Sequence, residues 1–166
     1  MENGKRMIFL NGEEETSIAK TYFNLAAKIA LQSTCYRSKG GSVIVKEDQV
    51  IGTGFNSPPQ NQTLDHCLKD DLPSNFKSDK TCCIHAEQRA IMDALRNNPN
   101  KIKGSRIYFI RLDKNNQPQP AGKPYCTICS KMALDVGITE YVLWHQEGIC
   151  VYDADEYNRL SFQFKP

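Results

Sequence analysis

The chain reads as an α/β protein, a three-layer α-β-α sandwich around a central mixed sheet of about five strands. Two observations predict this. Segments of helical and strand periodicity alternate in the order α-β-β-α-β-α-β, and crossovers between strands of one sheet lay helices over its faces. The 166 residues, 40% hydrophobic and 24% charged, suit a single globular core. Residues 1–166 are therefore expected to form one domain.

The first helix is expected from about Thr16 to Gln32, where Ile18, Tyr22, Leu25, Ala26 and Ile29 recur at helical spacing behind a run of glutamates suited to a helix N-terminus. Residues 42–45 and 49–55 are rich in β-branched side chains and flank the polar Lys46, Glu47 and Asp48, which predicts a β-hairpin. Residues 56–80 contain three prolines and few periodic apolar positions, so they read as a long surface excursion of the kind that carries function. Helical periodicity resumes at His85 and stops at Asn97, Asn98 and Pro99, and a strand follows at Arg106 to Leu112. Residues 113–124 are a loop by composition. A helix over Cys126 to Val136, closed by Gly137, and a strand over Glu140 to Trp144 complete the pattern.

Composition excludes several classes. The net charge is +2 from 21 basic and 19 acidic residues, interleaved along the chain, so no basic stripe of the kind long polyanions require is present and a nucleic-acid partner is not expected. A small nucleotide needs only one or two cations. No segment approaches the roughly 18 apolar residues of a spanning helix and the N-terminus lacks a secretory core, so no membrane partner and a cytoplasmic location are expected. Seven cysteines, an odd number, in such a chain point to metal ligands or buried thiols before disulfides.

The chemistry concentrates in two motifs. His85-Ala-Glu87 opens one expected helix and Cys126-Thr-Ile-Cys129 opens another. Each motif alone is unspecific. Together and in this order they match the H-x-E and C-x-x-C pair of zinc deaminases. Thiols three residues apart at a helix start can turn toward one ion, an imidazole from a second helix supplies the third ligand, and a fourth position stays open for water. Zinc held by His85, Cys126 and Cys129 would make that water acidic enough to serve as a nucleophile near neutral pH. Glu87, beside the open position, is the expected proton shuttle. The same ligands could instead belong to a closed structural site completed by Cys82 or Cys83, which would leave Glu87 without a task.

With these motifs the sequence resembles the cytidine and deoxycytidylate deaminase superfamily from about Ser33 to Leu143. Within it, Ser33-Thr-Cys-Tyr-Arg37, Gly41-Ser-Val-Ile-Val-Lys46 and Gly52-Thr-Gly-Phe-Asn-Ser57 are similar to the C-x-R, G-A-V-I-V-K and G-Y-N-G stretches of the deoxycytidylate branch. The resemblance implies a cytidine-deaminase-like fold and hydrolytic deamination of a cytosine nucleotide or nucleoside, with deoxycytidylate (dCMP) favoured. The alternative is a purine, pterin or related amino-heterocycle. Base editing in a nucleic acid lacks a basic track here, and intact Glu87 argues against a non-catalytic zinc module.

By position, Asn56 would contact the sugar or ring and the backbone at Ala86 the pyrimidine carbonyl, while Arg37 is the leading phosphate ligand. His66, Cys67, Cys82 and Cys83 could assemble a second, structural zinc, as in some deoxycytidylate deaminases. A homo-oligomer is likewise implied by the resemblance. Tyr125 stands where the family has proline directly before the first cysteine, with Pro124 one residue earlier, and Asn56-Ser-Pro-Pro59 departs from the branch's Asn-Gly-x-Pro. Both departures fall where leaving-group and phosphate recognition are expected.

Overall fold

The computed structural model, which describes residues 6–75 and 80–164, begins with a short strand β1 (Met7–Phe9) and the helix α1 (Glu13–Ala30). Three glutamates occupy the first turn of α1, where the helix dipole favours negative charge. Strands β2 (Lys39–Lys46) and β3 (Gln49–Phe55) follow as the expected hairpin. Its two connecting residues, Glu47 and Asp48, have φ of 48° and 59°, the left-handed backbone that tight two-residue hairpins demand. The excursion after β3 contains two short 3-10 turns, Pro59–Asn61 and Leu68–Asp71, and leads into α2 (Ala86–Asn97).

Strand β4 (Arg106–Leu112), the two-residue β5 (Pro118–Gln119), α3 (Thr127–Asp135), β6 (Glu140–His145), β7 (Gly148–Asp153) and α4 (Ala154–Gln163) complete the chain. The sheet runs β1-β7-β6-β4-β2-β3, with β5 paired to β4. β4 and β6 are parallel, whereas the other pairings are antiparallel. It is therefore a mixed sheet, with seven strands instead of about five. Beyond the four strands that periodicity located, the sheet gains β1 and β5, too short for a periodic signal, and β7, which lies in the C-terminal stretch together with α4.

Strand alternation sorts the side chains into two cores. Val43, Val45, Tyr108, Ile110 and Val142 face α1 and pack on Ala19, Phe23, Ala26 and Ile29. Ile44, Ile107, Tyr141 and Leu143 face the other way, toward Ala90, Ile91 and Ala94 of α2, Ala133 of α3 and Tyr157 of α4. Helices thus cover both faces, giving the expected three layers. Two glycines set the spacing. A Cβ at Gly41 would lie 2.0 Å from the Ala26 carbonyl oxygen of α1, and one at Gly54 would lie 2.3 Å from that of Ala86 in α2. Both helices consequently approach the hairpin more closely than any side chain would permit, and Gly54 fixes the end of α2 where His85, Ala86 and Glu87 lie.

Candidate metal centre and substrate cavity

His85 is the residue that caps α2. Its backbone N–H donates to the Gln88 Oε1 at 2.9 Å, completing a capping box. Cys126 caps α3, its sulfur accepting from the Cys129 N–H at 3.2 Å. The two helix starts meet at one end of the sheet. His85 Nδ1 stands 3.2 Å from Cys129 Sγ and 3.3 Å from Cys126 Sγ, and the two sulfurs are 2.9 Å apart. Among the described residues this is the group of three donors that falls within 4.8 Å.

One imidazole nitrogen and two thiols form a Cys2His set, which suits zinc with an open fourth position. The electrostatics agree. The pKa of the Cys126 thiol is lowered to about 4, first by the Cys129 hydrogen bond and also by His85, while that of Cys129 is pushed up by the same thiol-to-thiol hydrogen bond and by burial. Two thiols compressed around one negative charge, beside an imidazole, are the arrangement a divalent cation resolves by replacing protons.

Glu87 follows on the first turn of α2, 5% exposed. Burial pushes its carboxyl up from the ordinary value, opposed by His85 and by the more distant Arg111. It lines a cavity of about 480 Å³ together with His85, Ala86 and Cys126, within the usual size of a small-molecule site. Phe109, Leu143 and Tyr157 supply apolar walls, and residues 120–123 close one side.

Other expected residues also line this cavity, with altered roles. Asn56 Oδ1 accepts from the Gly40 N–H at 2.7 Å and from Ser33 Oγ at 2.8 Å, and Asn56 Nδ2 donates to the Ser38 carbonyl at 2.9 Å. Both acceptor positions of the amide are thus engaged, leaving one N–H for a ligand. Ala86 is buried at the helix start. Arg37 reaches the cavity but is paired with Asp70 through an exposed ion pair. Tyr125 is exposed at the rim of the cavity against Phe164, ring centroids 4.7 Å apart, while Pro124 is buried.

The four residues expected to assemble a second zinc site are not brought together. His66 has its ring nitrogens 2.7 Å from Asp65 and 2.9 Å from Asp71, so carboxylates occupy both positions a metal would need. Cys83 instead pairs with Cys82 and with Cys35, and Cys67 is buried beside Arg37. Cys35, Cys67, Cys82 and Cys83 all line the cavity. Cys35 was not among the expected ligands because its nearest cysteine in sequence is Cys67.

Phe109 and Arg111 were not singled out, although the signal for both was present. Alternation along Arg106–Leu112 places Ile107, Phe109 and Arg111 on the face that meets the helix carrying His85. Tyr157 lies in a helix for which the sequence offered no motif.

Comparison with known proteins agrees with this geometry. Residues 16–145 match the family model described as the cytidine and deoxycytidylate deaminase zinc-binding region. The deoxycytidylate deaminase of Mycobacterium phage D29 is 30% identical over 135 residues, covering 76% of this chain and 93% of the phage protein. That of Saccharomyces cerevisiae is 31% identical over 126 residues, covering 73% of this chain. The chain spans only 35% of the yeast protein's length by that match. In structure, the cytidine deaminase of Burkholderia pseudomallei superposes with a TM-score of 0.55 at 18% identity, over 83% of this chain and 94% of that one. The family match takes in both helix starts and every ligand placed on them, and the chain belongs to the cytidine and deoxycytidylate deaminase zinc-binding family.

Proposed function

We propose that the protein is a zinc-dependent hydrolytic deaminase of a cytosine nucleotide, with dCMP as its preferred substrate. The observation that carries this reading is the convergence of His85, Cys126 and Cys129 with the buried carboxyl of Glu87 in one cavity. The deoxycytidylate deaminases among its relatives supply the substrate class. Zinc bound by the three ligands would supply a nucleophile by lowering the pKa of water toward neutrality.

The remaining steps fall to the chain's own residues. Glu87 takes a proton from the attacking water and passes it to the ring nitrogen beside the amino-bearing carbon. It then takes the proton of the hydroxyl now on that carbon and delivers it to the amino group, which leaves as ammonia while the carbon becomes a carbonyl. Its raised pKa suits a group that must accept and release protons in one cycle. The remaining N–H of Asn56 and the backbone at Ala86 hold the sugar and ring, and Phe109 excludes water from the cavity floor.

A second zinc drawing on Cys35, Cys67, Cys82 and Cys83, with Cys35 taking the place first assigned to His66, is proposed to assemble on metal binding, since no three of these donors lie within 4.8 Å of one another as they stand. Its support is the shared cavity wall and the pairing of Cys83 with both Cys35 and Cys82. A homo-oligomer is also proposed, and light scattering showing only monomer at working concentration would remove it.

The test of function is ammonia release by zinc-loaded protein from dCMP, cytidylate, cytidine, deoxycytidine, cytosine, guanine and a pterin. Preference for dCMP is expected. Turnover confined to guanine or the pterin overturns the substrate while keeping the metal chemistry.

A further inference from the structure

We infer that Arg111, aided by Lys123 of the same cavity lining, is the phosphate ligand at the mouth of the cavity, in preference to Arg37. The inference rests on the reading of a cytosine nucleotide substrate and names the group that selects the nucleotide over the nucleoside.

Arg111 is placed by the strand. It follows Ile107 and Phe109 on the face of β4 that meets α2, so it lies one side chain further out than Phe109, on the wall of the same cavity. Its partner across the ladder is Gly40. A Cβ at Gly40 would meet the Phe109 ring at 3.0 Å, so the glycine makes room for the aromatic wall that Arg111 extends. Arg111 and the proton shuttle Glu87 line one cavity.

Charge balance supplies the ligand class. Among the described residues the cavity lining carries Arg37, Lys69, Arg111 and Lys123 against one carboxylate, that of Glu87. These cations are not equally available. Arg37 is engaged by Asp70. Arg111 and Lys123 are exposed, and among the described residues neither side chain has a hydrogen-bond or ion-pair partner. A planar guanidinium fork and an ammonium in one cavity lining suit a phosphate monoester, whose oxygens accept paired N–H donors.

Lys123 stands on the 113–124 segment, between β4 and the helix that carries Cys126 and Cys129. One wall of the phosphate site is therefore built by a loop and the other by a strand of the central sheet.

The experiment measures kcat/KM for dCMP and for deoxycytidine with zinc-loaded wild type, Arg111→Gln, Arg111→Lys, Lys123→Gln and Arg37→Gln. Zinc content and thermal unfolding are recorded for each, with binding of inorganic phosphate as a readout independent of turnover. The ratio of the two kcat/KM values should fall by about 10- to 100-fold in Arg111→Gln, the span expected for losing charge-assisted hydrogen bonds. Recovery should be partial in Arg111→Lys, which keeps the charge and loses the fork. A smaller fall is expected in Lys123→Gln and the smallest in Arg37→Gln, and phosphate binding should weaken in the same order.

An unchanged ratio and unchanged phosphate binding in a folded, zinc-loaded Arg111→Gln overturn the inference. So does a fall in Arg37→Gln that exceeds it. If wild type deaminates no cytosine compound, the proposed function fails, and phosphate binding still decides the assignment of Arg111.

Discussion

Two constellations of cysteine and histidine lie on this chain, and their difference shows what makes ligand residues into a site. His85, Cys126 and Cys129 are fixed at the N-termini of two helices packed on one face of the sheet, and their donor atoms converge. His66, Cys67, Cys82 and Cys83 offer the same chemistry from the excursion between β3 and α2, and only part of that set meets. A capping residue has its backbone direction dictated by the helix it opens. A loop residue takes whichever partner lies nearby, and for His66 these are Asp65 and Asp71.

The strongest way to break this comparison is to remove a helix-start ligand. Cys126→Ala is expected to lose the catalytic zinc and to reduce ammonia release to background, whereas Glu87→Gln should keep the zinc and lose about 10²- to 10⁴-fold in kcat. Metal analysis beside turnover separates the two, and a Glu87→Gln enzyme of near-normal rate would falsify the shuttle assignment. The scaffold can be struck next. Gly54→Val forces a side chain into the space held by the Ala86 carbonyl and should cost about 1–3 kcal/mol in denaturant unfolding, with turnover falling as His85 and Glu87 are displaced.

A milder effect is expected at the loop set. Cys83→Ser should reduce zinc from two ions per chain to one by metal analysis, with deamination largely retained. A wild-type stoichiometry of one would remove the second site and sharpen the contrast between helix-borne and loop-borne ligands.

The smallest effect concerns His66. Asp71 and Asp65 push its pKa up from 6.5 to about 9, so the folded loop favours the protonated ring. Its contribution to loop order is fully present below about pH 6.5 and is lost as pH rises through 9. Ring-proton NMR shifts should report that titration near 9, and a midpoint close to 6.5 would show that neither carboxylate holds the ring.

The same contrast explains what could be read from residues alone. Helix and strand periods located α1 to α3, the hairpin and β4, and the two motifs identified the three donors and Glu87, because a helix start turns spacing into direction. The C-terminal β7 and α4 were not assigned, although Ile149, Val151 and Tyr157 are core residues. β1 pairs with β7 through only three residues, a contact of distant segments with no local signature. The occupation of Asn56 by Ser33, Ser38 and Gly40 and the engagement of Arg37 by Asp70 are also long-range facts. Residue type announces the capacity to bind, while the fold decides how much of that capacity is already used.

Cys126 carries a liability as well as a ligand role. Its sulfur receives a backbone N–H at a helix start and is held as thiolate well below the range of a free thiol, and it is only half buried. Thiolates with access to solvent are the cysteines that electrophiles and peroxide attack first. While coordinated, that lone pair is committed. Once stripped by a chelator, the protein should be marked at Cys126 ahead of its neighbour Cys129, which is buried and harder to ionise. The history of metal loss in a preparation would then be written as a covalent scar on one residue, legible by peptide mass mapping long after zinc has been restored.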